Sequence, residues 1–95
     1  MNKDELKKLL IEKFDYPHAA VDIVANQVSA FSPMWRKAFN DYISHGVISN
    51  YIYENYTIQS LIDQMGLSPI GAFLTMDSLM KSPKETLKML ERGIR

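Results

Sequence analysis

Two histidine–carboxylate pairs at helical spacing are the side chains of this sequence best placed for acid–base chemistry: His18 stands four before Asp22, and Asp41 stands four before His45. Residues four apart share a helix face, so each imidazole can meet its carboxylate. Catalysis asks for more, namely a base held beside a nucleophile in a pocket. Ser44 neighbours His45, but adjacent helical residues point about 100° apart and do not form a dyad. Neither pair brings the further ligands a metal needs. Gly46, Gly66, Gly71 and Gly93 are dispersed and build no phosphate loop, and no Gly-x-Ser-x-Gly elbow occurs. These residues therefore read as surface ion pairs on a non-enzymatic chain that calls for no metal and no cofactor.

A second chemistry is phosphate binding. Lys81, Lys84, Lys88, Arg92 and Arg95 follow one another near the carboxyl end, at spacings that place most of them along one helix side. Just before them, "LIDQMGLSPIGAFL" (61–74) resembles a helix-turn-helix in its Leu-Ile-x-x-x-Gly-Leu-Ser core. In that motif the second helix reads base edges with its first two turns. Here those turns offer Ser68, Pro69, Ile70, Gly71, Phe73 and Leu74, with almost no hydrogen-bonding group for a base. The charged residues between Leu61 and Met80 are Asp63 and Asp77, which a phosphate backbone repels. A capped turn between two core helices explains Gly66 and Ser68-Pro69 without DNA. Nucleic-acid binding through this segment and the basic C-terminal helix stands as the alternative reading.

The whole chain supports that ranking. It has 95 residues, eleven basic and eleven acidic side chains, and no cysteine. Balanced charge supplies no global field towards nucleic acid or an anionic membrane. Without disulfides or thiolate-bound zinc, apolar packing must hold the fold. The charged first ten residues do not resemble a signal peptide, and no apolar run is long enough to span a bilayer. The expectation is a cytoplasmic protein with no membrane association.

The elements that carry these residues are marked by their punctuation. Ser32-Pro33, Ser68-Pro69 and Ser82-Pro83 each put a capping hydroxyl before a proline suited to the first helical position. Asn2 with Glu5, and Ser82 with Glu85, have capping-box spacing. Apolar residues then recur with the helical period. Helix one spans about 3–14, with Leu6, Leu9, Leu10 and Phe14 inward. Helix two turns Ala20, Ile23, Val24, Val28 and finally Phe31 inward and Asp22, Asn26 and Ser29 away. Helix three, from Pro33 to His45, buries Trp35, Ala38, Phe39, Tyr42 and Ile43 and stops at Gly46. Thr57 caps helix four, whose Ile58, Leu61, Ile62 and Met65 form a stripe ended by Gly66. Helix five (69–80) is apolar nearly all round and reads as central. Helix six (83–92) keeps Leu87 and Leu90 inward and its cations outward. Residues 47–56, "VISNYIYENY", alternate Tyr51 and Tyr53 about Ile52 and read as an extended connector or a lone strand. The fold class is all-α: a compact bundle of five or six short helices in a single domain, with 1–46 as a three-helix unit and 57–95 as a second unit.

At "YTIQSLIDQMGLSPIGAFLTMDSL" (56–79) the chain is similar to a set of short, uncharacterised helical proteins of bacteria and their phages. The likeness lies in Tyr56-Thr57, Met65-Gly66, Pro69-Ile70 and Ala72-Phe73-Leu74-Thr75-x-Asp77-x-Leu79. It implies a constrained role for helix five and carries no activity. The first three helices, around "KFDYPHAAVDIVANQV" (13–28), also faintly resemble ubiquitin-associated domains, with Asp15 where their loop has glycine. That likeness implies architecture alone.

The expected function is protein–protein interaction, with another protein or a second copy of the chain as partner. Four tyrosines fall between Tyr42 and Tyr56, and tyrosines at a surface combine an apolar ring with a polar tip. The expected interface is Tyr51, Tyr53 and Tyr56 together with Ile70, Phe73 and Leu74 of helix five. Lys81, Lys84, Lys88, Arg92 and Arg95 are the expected phosphate contacts of the alternative.

Overall fold

Local chemistry marks many of the helix limits, though α2 and α3 start without a side-chain cap bond. The computed structural model describes residues 2–92. Among them are α1 (Lys3–Phe14), α2 (His18–Ser29), α3 (Pro33–His45), α4 (Ile58–Met65), α5 (Pro69–Lys81) and α6 (Pro83–Arg92), an all-α bundle. Asn2 Oδ1 accepts the Glu5 amide at 2.8 Å to start α1. Thr57 and Ser60 form a reciprocal capping box on α4, and Ser68 Oγ accepts the Gly71 amide on α5. Gly46 and Gly66 take left-handed φ values of 71° and 69°, where a Cβ is disfavoured, and end α3 and α4. The same conformation ends α1 at Asp15, φ 57°, a residue type whose short polar side chain tolerates it.

Burial then decides which helix faces meet. Leu6 and Leu10 of α1, Val21, Ala25 and Val28 of α2, and Trp35, Phe39 and Ile43 of α3 join one cluster. Ile58 and Leu61 of α4, Ile70, Ala72, Phe73, Met76 and Leu79 of α5, and Leu90 of α6 complete it. The core therefore does not divide between the first and last three helices: α3 packs on α5, and the two expected units share one interior. A radius of gyration of 13.0 Å is that of a single compact body at this length.

The inward face of α2 differs from expectation. Ile23 is 62% exposed, and Val21 and Ala25 take its place inside. The helix has apolar residues around much of its circumference, so periodicity leaves its rotation open. An ion pair between Lys7 of α1 and Asp22, at 2.5 Å, goes with the observed rotation.

Residues 47–56 form the expected extended connector, and not the lone strand held as the alternative. Between α3 and α4 the chain is extended, and its pairing is local: Tyr53 and Tyr56 exchange two backbone hydrogen bonds of 3.0 and 2.9 Å. The intervening Glu54 and Asn55 have φ of 51° and 69°, the double left-handed signature of a tight hairpin turn. Asparagine suits such a position, whereas glutamate occupies it against its own steric preference.

Candidate interaction surface

The surface is built where the connector crosses α3. Trp35, fully buried, is the pivot: Tyr51 meets its ring edge-on at 6.0 Å between centroids, and Phe73 of α5 does the same from another side. The Trp35 indole N–H donates to Met80 Sδ, which satisfies the polar atom of a buried ring. Tyr53 and Tyr56 are half-buried and pack against the core. With the tyrosine rings turned to the protein, the alternation of the connector sends Ile52 outward, where it is 65% exposed. Val47 is 57% exposed and lines a shallow groove with Met34 and Ala38 of α3, rimmed by Lys37 and Asp41. Met34, Val47, Tyr51 and Ile52 are thus four exposed large apolar residues on α3 and the connector beside it.

The expected interface is corrected at α5. Ile70 and Phe73 are buried, Phe73 completely, so neither is available to a partner. The reason is tertiary: α5 receives α3, α4 and α6 on different sides, and its apolar circumference is consumed by them. Leu74 is half-buried and lies in a separate groove of about 370 Å³ between α5 and α6, opposite Met89. Tyr53 and Tyr56 remain at the connector as packing against the core, whereas Tyr51 touches Trp35 with one edge and stays exposed on its other side. Met34, Val47 and Ile52 were not singled out from sequence. The alternation about Ile52 carried the signal for one of them; Met34 and Val47 had none.

The same helix removes a cation from the alternative site. Lys81 Nζ pairs with Asp77 Oδ2 at 2.8 Å and donates to the Ala30 carbonyl. Lys84, Lys88 and Arg92 are exposed on α6, interleaved with exposed Glu85 and Glu91; Arg95 lies outside the described residues. On α5 the exposed positions reduce to Ser78 and Lys81, flanked by half-buried Leu74 and Thr75. A groove-reading helix needs a free outer face, and this one has little.

Neither histidine meets its expected carboxylate among the described ion pairs: Asp22 pairs with Lys7, and Asp41 with Lys37 at 3.3 Å. No group of three or more metal-ligating side chains occurs among the described residues. No helix among them is long and apolar enough to cross a membrane.

The Lys7 contact sets a pH dependence. The hydrogen bond and charge of Lys7 hold the Asp22 carboxyl below its usual 3.8, and the same bond raises Lys7 above its usual 10.5. A depressed carboxyl contributes stability above its unfolded pKa and loses it as pH falls through the folded one. A raised ammonium contributes below its unfolded pKa and loses it as pH rises through the folded one. Asp22→Asn is therefore expected to lower the urea midpoint at neutral pH and to match the parent once acid protonates Asp22. A difference that persists unchanged in strong acid would contradict the pair.

Family models, curated proteins and solved structures yield no match to this chain.

Proposed function

We propose that this chain is a small non-enzymatic interaction domain that binds a protein partner, or a second copy of itself, through the exposed apolar surface of α3 and the connector. One observation carries the reading: Val47 and Ile52 stand more than half exposed beside Met34 and Tyr51, on a connector whose own tyrosines hold it against the core. Scattered surface apolar residues are ordinary, but several gathered on one segment expose area that a partner can cover. Tyr51 and Met34 suit such contact, one by its amphipathic ring and the other by its adaptable thioether. Balanced charge and the absence of cysteine accord with protein contact in the cytoplasm.

The test compares the parent with a Val47→Asp/Ile52→Asp double variant. Both sites are exposed, so the melting temperatures should agree within about 4 °C. Light scattering over a concentration series reads self-association, and capture from the native lysate reads other partners. A complex formed by the parent and lost by the variant supports the proposal. A monomer that recovers salt-eluted nucleic acid equally well in both forms overturns it in favour of the basic helix α6.

A further inference from the structure

On the side of the molecule formed by α1, α2 and α3, a pocket of about 120 Å³ lies between the amino end of α1, the carboxyl end of α2 and the first two turns of α3. Lys3 and Arg36 supply its charge, Asn2 and Asn40 its amides, and the buried Leu6 and Val28 its apolar wall. We infer that it binds a compact oxyanion, with phosphate or the phosphate group of a small monoester as the ligand class.

Three observations converge on that chemistry. No carboxylate lines the pocket, although the chain as a whole carries as many acidic as basic residues. Lys7, Lys37 and Lys81 are each in an ion pair, whereas Lys3 and Arg36 are in none among the described residues. Arg36 is thus without a charged partner among them, while Lys3 acts through space on Asp22 and the Glu5 carboxylate abuts Asn2 at the edge of the pocket. Finally, the donors come from separate parts of the fold, the start of α1 and one side of α3. Arg36 and Asn40 are four apart on α3 and share a face, so a planar guanidinium and an amide open on the same side as Lys3.

The other groups are consistent. Asn2 gives one amide proton to Glu5 Oε1 at 3.1 Å, which leaves its second proton for a ligand. Ser29, also on the wall, donates its hydroxyl to the Ala25 carbonyl and is therefore not one of the donors. The apolar wall weakens local screening and strengthens a charge-assisted bond to the anion. The volume is well below the roughly 300 Å³ at which pockets begin to take larger organic ligands. Compact anions are the size class that fits.

The test is an amide NMR titration with inorganic phosphate at constant ionic strength, chloride being the balancing anion, with glycerol phosphate in a parallel arm. Saturable shifts concentrated at Asn2, Lys3, Arg36 and Asn40 are expected. Arg36→Gln should weaken binding at least about tenfold, the loss of a charge-assisted hydrogen bond. Lys37→Gln, on the same helix but outside the pocket, should leave it unchanged. Asn40→Ala provides a second lesion that keeps the charge. Tighter binding of glycerol phosphate would assign the site to a monoester, and equal binding to the free ion. Non-saturating shifts spread over the lysines, or undiminished affinity in Arg36→Gln, would overturn the inference.

Discussion

Phe73→Ala is expected to lower the free energy of unfolding by about 3–5 kcal/mol, which on a domain of this size is a fall in melting temperature of more than about 12 °C. Phe73 has no solvent exposure and sits at the meeting point of three aromatic rings: Phe39 at 5.3 Å, Tyr42 at 5.6 Å and Trp35 at 6.0 Å between centroids. The Phe39 and Trp35 contacts are edge-on, near 80° between planes, the arrangement that sets a ring's positive edge against another's negative face. Truncation removes these contacts together and leaves a hole that neighbours from α3 and α5 cannot close without moving. Leu74→Ala, next in sequence and half-buried, should cost distinctly less. Urea unfolding of the two variants side by side checks the placement of α5. Equal and small losses would contradict it.

Asp77→Ala is expected to cost about 1–3 kcal/mol, the penalty for leaving a part-buried amide without its charged acceptor. Asp77 is only 6% exposed, and its Oδ1 accepts the backbone N–H of Ser32 at 3.0 Å from a position 45 residues further along the chain. It thereby satisfies the amide of the N-cap residue itself, while the Ser32 hydroxyl, expected to accept an amide of the first turn of α3, makes no capping bond. That hydroxyl is buried and has no hydrogen-bond partner. The Asp77 carboxylate also holds Lys81, which in turn reaches the Ala30 carbonyl, so α5 grips the α2–α3 turn at two backbone atoms. Lys81 is about half exposed, and its share is expected to be below about 1 kcal/mol. Asp77→Asn should therefore lose less than Asp77→Ala, because an amide oxygen can still accept from Ser32. Urea midpoints for Asp77→Asn, Asp77→Ala and Lys81→Met read the three terms separately. A cost for Lys81→Met as large as that for Asp77→Ala would mean that the ion pair, and not the amide, secures the turn.

Both results bear on how much of the molecule could be seen in the chain. Serine–proline pairs, Asn2, Thr57, Gly46 and Gly66 act within four residues of themselves, and each helix limit they marked appears in the fold. Strong periodicity was equally legible where one face dominates, as in α3 with Trp35, Phe39 and Ile43. It failed on α2, whose apolar residues surround the helix, and it could not say whether all-round apolar α5 was covered or offered to a partner. Asp77 read as a charge that would repel phosphate; its partner Ser32 was invisible because nothing local links residues 32 and 77.

By itself the sequence determined an all-α chain and most of the limits of its helices. Those properties arise from hydrogen bonds and steric preferences a few residues long. The tertiary structure alone decided that Ile70 and Phe73 are core, that Ile52 and Val47 are surface, that Lys81 belongs to Asp77, and that Lys3 and Arg36 share a pocket. Each of these depends on which helix faces meet, and that choice is made by the packing of all six helices around one interior.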